Sequence, residues 1–589
     1  MGRDARGSNI VEFVIKVLGC KNIVQASNPF VPRTLFSAVR CAARGPKMIS
    51  PDAPSLPMQI LERTPGGARM HVHTSETMLS DHPLGNLKTA SMLFSRDGRL
   101  LACLGSEDVR IYDTGSNTVL RSLPLPGAVA MHFSPEGTFI EIYQKANASG
   151  AGEEKNLSVW NVTTGEKVYA CFQKSFNSLS WPYLQFSADD KVACRAVSNE
   201  VHFFDTDKFD ESAARLKVPQ VALAKLSPGA DPSVATFVPE KKGIPGSVCI
   251  YSPPPTGTEG VIELQPTARK AFFRVNEVDF MWAPDGKAVL VLGSCDVDVT
   301  NQSYYGETSL VYMRADGQID CKVPLDKEGP VHEAKWSPTS EEFVVVYGYM
   351  PAKATIFCGK KCEPKYQLGA GPHNTVRWNP FGRFILLAGF GNLPGDMKFF
   401  DRKQDGKYKL VGATRAACAV TAEWSPDGRR LLTATIAPRL NVDNGFKIWR
   451  YNGDLLHHEQ REKLYEASWA PAPNGTHADR PISAGSVRKE TDERLAPDGT
   501  AAPKKAGAYK PPHATSGSGN FSLAIAKAED AGPGKYKAPG SGGGSGNSGN
   551  AKTPSGPPGA TFVEGGGMSA SAKKNAKKRA ASKAKAEGN

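Results

Sequence analysis

From residue 91 to residue 470 the chain repeats one pattern of apolar and polar positions. A turn comes first: an apolar or aromatic residue, then Ser or Ala, then Pro or Asp, then Gly. It reads Phe94-Ser95-Arg96-Asp97-Gly98, Phe133-Ser134-Pro135-Glu136-Gly137, Phe186-Ser187-Ala188-Asp189-Asp190 and, more weakly, Leu226-Ser227-Pro228-Gly229. The aromatic then becomes Trp, in Trp282-Ala283-Pro284-Asp285-Gly286, Trp336-Ser337-Pro338, Trp378-Asn379-Pro380-Phe381-Gly382, Trp424-Ser425-Pro426-Asp427-Gly428 and Trp469-Ala470-Pro471. A β-rich run follows each turn, as in Leu431-Leu432-Thr433-Ala434-Thr435. A further run ends on an aromatic, as in Val109-Arg110-Ile111-Tyr112-Asp113 and Phe446-Lys447-Ile448-Trp449. Period-two alternation marks strands with one face packed.

The nine aromatic or apolar anchors stand 39 to 56 residues apart. That spacing brackets the roughly 40–45 residues of a four-stranded propeller blade. The prediction is an all-β, nine-bladed, WD40-like β-propeller over 48–475, with the Gly-His and Trp-Asp dipeptides of WD repeats mostly lost. The run Gln59 to His73, upstream of the first anchor, is expected to close the ring and remove its open edge.

The chain has 589 residues, and a 40% hydrophobic content is enough for such a core. Eleven cysteines without a framework spacing read as reduced thiols. No stretch approaches the roughly 20 apolar residues of a membrane span, so no membrane partner is expected and the localisation is read as cytoplasmic. The net charge of +13 is unevenly placed: residues 1–47 carry eight Lys/Arg against two Asp/Glu, residues 48–477 carry 46 against 48, and residues 478–589 carry 18 against nine. Residues 1–47 are expected to be a disordered extension or to precede a natural start at Met48. Their Arg-bearing, acid-poor make-up is shared by transit peptides, a reading given less weight. Gly, Ser and Pro dominate 476–569, which is expected to be a disordered linker. The 570–589 tail is basic and is expected to form a short helix on RNA. Nuclear import and simple solvation are the open alternatives.

Catalytic signatures are missing. There is no G-x-x-x-x-G-K-[ST] and no G-x-S-x-G. Cys358 and Cys362 form one pair without the second pair or histidines that zinc requires. His71 and His73 share a strand face and are assigned to ring closure rather than to a metal. Asp296 and Asp298 lie two apart without a cleft to place them. No enzyme, no cofactor and no metal are expected.

Four stretches are more specific than the repeat. They are Asp296-Val297-Asp298 leading to Ser303-Tyr304-Tyr305-Gly306-Glu307, then 348–357 (GYMPAKATIF), then 387–393 (LAGFGNL), and finally Thr433-Ala434-Thr435 with Ala437-Pro438-Arg439-Leu440 and 444–449 (NGFKIW). In this order the chain closely resembles the eukaryotic translation initiation factor 2A family, the single-chain factor. The resemblance implies a nine-bladed propeller that brings initiator methionyl-tRNA to the small ribosomal subunit without GTP, at special or atypical start sites. The partners it implies are the small ribosomal subunit, initiator tRNA, mRNA and other initiation factors. Loop aromatics Tyr304, Tyr305, Tyr349 and Phe390 are candidates for stacking on bases or anchoring a protein. Lys353 and Arg439 are candidates for phosphate contact. Lys573, Lys574, Lys577, Lys578, Arg579, Lys583 and Lys585 are candidates for salt-dependent RNA affinity. A propeller scaffold similar to the b subunit of initiation factor 3 is the alternative, although 1–85 is too short for that subunit's RNA-recognition domain.

Overall fold

A computed structural model describes residues 57–73, 80–145, 155–178, 180–209, 211–229, 232–241, 243–254, 258–295, 307–403 and 405–483. They form nine antiparallel sheets, one per blade. Numbered by their anchors, blades 1 to 8 occupy 91–124, 128–171, 185–217, 223–272, 277–322, 331–371, 375–415 and 421–460. Blade 9 joins the two ends of the ring: Glu466–Trp469 is its inner strand, and Met58–Thr64, Gly67–His73 and Ser80–Leu87 are its outer three. Ile60 pairs with Trp469, and Arg63 with Glu466. The closing run expected at 59–73 is therefore two of three added strands. Blade 3 carries a fifth strand, Gly260–Ile262, which leaves blade 4 and pairs in parallel with Ala214–Lys217.

Within a blade the strands run A to D from the channel outward. Each anchor ends strand A, and the turn after it enters strand B. That turn explains the Ser and Gly of the repeat. The Ser95 hydroxyl accepts the Leu100 N–H at 3.0 Å and donates to Asp97 at 2.7 Å, while the Gly98 N–H closes on the Ser95 carbonyl at 2.9 Å. Gly98 sits at φ +72°, and a Cβ there would lie 2.0 Å from the Pro471 carbonyl oxygen of blade 9. Glycine thus serves both the left-handed backbone and the close approach across the ring closure. In blade 3 Asp190 takes this position at φ 58° and sends its carboxylate to the Ser134 hydroxyl of blade 2, 2.6 Å away.

The change from Phe to Trp also has a structural reason. The Trp282, Trp336, Trp378 and Trp424 indole N–H groups donate to the carbonyls of Lys225, Met281, Lys335 and Arg377, at 3.2, 2.8, 3.3 and 3.0 Å. Each acceptor is the residue just before the preceding blade's anchor. The anchors thus stitch neighbouring inner strands together where no sheet ladder joins them. Apolar faces between blades supply the rest of the core, such as Phe384, Phe399, Met397, Trp424, Trp449 and Tyr451 between blades 7 and 8.

Candidate interaction face

Antiparallel order places the A–B turns and C–D turns on one side of the ring. The B–C loops and the D–A connections lie on the other. Of the four sequence stretches that resemble the family, three reach the B–C loops of consecutive blades: 348–351 in blade 6, 389–395 in blade 7 and 436–444 in blade 8. They share one face.

In blade 6 the loop tip is held from beneath. The Tyr349 N–H donates to the Glu328 carbonyl at 3.0 Å, and the Lys327 ammonium donates to the Pro351 carbonyl at 2.6 Å. Tyr349 and Met350 project outward and are exposed. Lys353 is not a free cation: it is ion-paired with Asp326, which also accepts the Tyr347 hydroxyl at 2.6 Å. The Lys353 and Tyr347 bonds hold the Asp326 carboxyl below the usual carboxylate range. Phe390 corrects an expectation. It is 4% exposed and packs with Ala388, Met397, Ala416 and Ala419, so it offers no open ring face. The Gly389–Gly391 setting suggests an open loop, but the Asn374 side chain folds the segment inward, accepting the Phe390 N–H at 3.0 Å and donating to its carbonyl at 2.9 Å. Arg439 is exposed, and its guanidinium lies against Gly391, where a Cβ would come within 2.7 Å of Nη2. The loops of blades 7 and 8 therefore meet. Tyr304, Tyr305 and the terminal cations from Lys573 to Lys585 lie outside the described residues.

The structure adds residues that the sequence reading passed over. Ten large apolar side chains are exposed among the described residues. Eight of these lie on the loop face: Val129, Phe172 and Phe176 at blade 2, Ile244 and Phe273 at blade 4, Tyr349 and Met350 at blade 6, and Val442 at blade 8. Ile244 and Phe273 are 71% and 76% exposed, and the Arg274 N–H, which donates to Glu240 at 2.8 Å, ties together the two connections that carry them. An apolar residue in a connection gives no periodic signal, so only the fold shows that these gather on one side. Charges on the face are mixed, with Lys241, Arg274, Lys327 and Arg439 set against Glu240, Glu328 and Asp443.

Beneath blade 2's part of the face lies Glu141. It is fully buried and accepts the Tyr183 and Leu184 N–H groups at 3.1 and 3.3 Å. Burial pushes its carboxyl up to about 8 against the partial opposition of those bonds and Arg195. A carboxyl raised on folding contributes stability that is complete below its unfolded value and is lost as pH rises through the folded one. Glu141→Gln is expected to remove that loss. Thermal midpoints measured from pH 5 to pH 9 should show the native chain falling relative to the variant as pH approaches about 8; parallel curves would contradict this origin.

A closed ring of nine four- and five-stranded blades, with apolar residues exposed on its loop face, belongs to the WD-repeat-like propeller class. Among the described residues no helix is long and apolar enough to cross a membrane. The family described as "Eukaryotic translation initiation factor eIF2A" matches residues 270–467. Eukaryotic translation initiation factor 2A of Schizosaccharomyces pombe is 38% identical over 435 residues, which are 73% of this chain and 73% of that protein. The factor 2A of Dictyostelium discoideum is 36% identical over 64% of this chain and 60% of its own length. A solved structure described as "Crystal structure of the eukaryotic initiation factor" matches with a TM-score of 0.63 and 34% identity, covering 71% of this chain and 100% of that one. The chain belongs to the eukaryotic translation initiation factor 2A family and is a translation initiation factor.

Proposed function

We propose that the protein docks on the small ribosomal subunit through the loop face of the propeller and promotes GTP-independent delivery of initiator methionyl-tRNA to mRNA at special or atypical start sites. It acts by binding and not by catalysis, in the cytoplasm. The observation that carries this reading is the gathering of eight exposed apolar side chains on the face that bears the family-like loops. Exposed apolar groups concentrated on one side mark a docking surface. The mixed charge of that face suits a protein-rich contact, while the basic 570–589 tail supplies salt-dependent hold on RNA.

Co-sedimentation with purified small subunits tests the face. The double substitution Tyr349→Ala with Met350→Ala is expected to weaken binding about tenfold, as loss of an interface anchor does. Val119→Ala, on the opposite side, should leave binding unchanged. Equal binding by all three proteins would overturn the assignment. Retention in a ribosome-free protein assembly after RNase would instead favour the scaffold reading.

A further inference from the structure

The D–A connection between blades 2 and 3, residues 172–184, is built differently from the other connections. It carries Phe172, Phe176, Trp181 and Tyr183 with no Asp or Glu. Phe176 is 43% exposed, and its inner side is backed by Tyr143 and Trp181, with ring centroids 5.3 and 5.5 Å away. The backbone that presents it is clasped at two points. The Tyr183 hydroxyl donates to the Ser175 carbonyl at 3.0 Å and accepts the Asn177 N–H at 2.7 Å. The buried Asn156 side chain accepts the Gln173 N–H at 2.7 Å and donates to its carbonyl at 3.0 Å. The exposed rings are therefore pre-positioned, and a ligand stacking on them does not have to order the loop.

Three lysines flank the rings. Lys174 is in the connection itself, Lys145 follows Tyr143 by two residues, and Lys155 precedes Asn156. All three are exposed, and none has an ion-pair partner among the described residues. Glu141, in the adjoining strand, is fully buried, and burial pushes its carboxyl up to about 8, so it adds little opposing charge; Glu153 and Glu154, which precede Lys155, lie outside the described residues.

We propose that this corner of the loop face binds single-stranded RNA, with bases stacked on Phe172 and Phe176 and the backbone phosphates met by Lys145, Lys155 and Lys174. Open π-faces accept any base, and ammonium groups beside them complement the phosphates. The choice of RNA as the polyanion rests on the initiation-factor reading. The site itself rests on the rings, the clasp and the lysines.

A fluorescently labelled oligouridine 12-mer titrated with the full-length chain at several salt concentrations provides the test. Phe172→Leu with Phe176→Leu keeps apolar volume in the corner but removes both ring faces. Affinity is expected to fall roughly tenfold or more, since one stacked base contributes that much. The slope of log affinity against log salt should not change, because stacking releases no counterions. Lys145→Ala with Lys174→Ala should instead reduce that slope by about 0.7 per lost phosphate contact. A variant that keeps the native thermal midpoint and the native RNA affinity overturns the proposal. If that variant also loses small-subunit binding, the corner is a protein anchor. Docking through blade 6 is read separately with the Tyr349 and Met350 substitutions, so either reading can fail without the other.

Discussion

Phe384→Ala is expected to destabilise the protein by about 4 kcal/mol, within the range for deleting a buried aromatic ring. Phe384 begins strand B of blade 7 and is fully buried. Its ring stacks on Tyr451 of blade 8 at 4.9 Å and lies 6.2 Å from the anchor Trp424. The Arg383 guanidinium sits 5.2 Å from the same ring. That arginine donates to Asp401 at 2.9 Å and to the Arg480 carbonyl at 2.8 Å, and Arg429 donates to the same carbonyl at 3.1 Å. The segment after the last blade is thereby tied across blades 7 and 8. Removing the ring opens a void between two blades and loosens the seat of that strap. The denaturation midpoint measures the loss. A shift worth less than about 1 kcal/mol would mean that the blades close over the void far better than partial relaxation allows.

Glu62→Ala has the second large effect, expected at about 2 kcal/mol because it removes a buried carboxylate that accepts charged hydrogen bonds from the half-buried Arg461 and stands against the buried His71. Glu62 lies on the first strand of blade 9 and is 2% exposed. Its carboxylate accepts two bonds from the Arg461 guanidinium, at 3.0 and 3.1 Å, and lies 3.0 Å from His71 Nε2. Arg461 stands in the connection from blade 8, so this cluster joins the two ends of the ring. Burial alone would raise the Glu62 carboxyl, but the bonds from His71 and Arg461 outweigh it and hold it below its ordinary value of 4.5. A carboxyl lowered on folding stabilises above its unfolded value and stops doing so as pH falls through the folded one. The penalty of Glu62→Ala should therefore shrink well below pH 4.5. A pH-independent penalty would point to lost packing rather than to a lost charge pair.

The ring was legible because its signals are local. The Ser and Gly of the turns answer to a hydrogen bond and a positive φ, and four of the five Trp anchors donate their indole N–H to the neighbouring blade's carbonyl. The closing blade was legible only in part. The strand at Ser80–Leu87 includes Pro83 and Gly85, which read as turn rather than strand. Strand Gly260–Ile262 is three residues long, and its only sequence trace is the 56-residue interval between the anchors Leu226 and Trp282. The candidate face was less legible still. Tyr349 and Arg439 are exposed as expected, but Phe390 is turned inward by Asn374 and Lys353 is paired with Asp326. Both outcomes depend on residues 16 to 27 positions away in sequence, beyond the reach of a local pattern. Ile244 and Phe273 were invisible for the opposite reason: single apolar residues in polar connections acquire meaning only when the ring brings them to one side.

Hydroxyl-radical footprinting of the full-length protein, free and bound to purified small ribosomal subunits, tests the docking face most directly. The expected result is protection of Ile244, Phe273, Tyr349, Met350 and Val442, with Val119 on the opposite side equally reactive in both states. Protection of the A–B turn side, with the loop face still reactive, would contradict it.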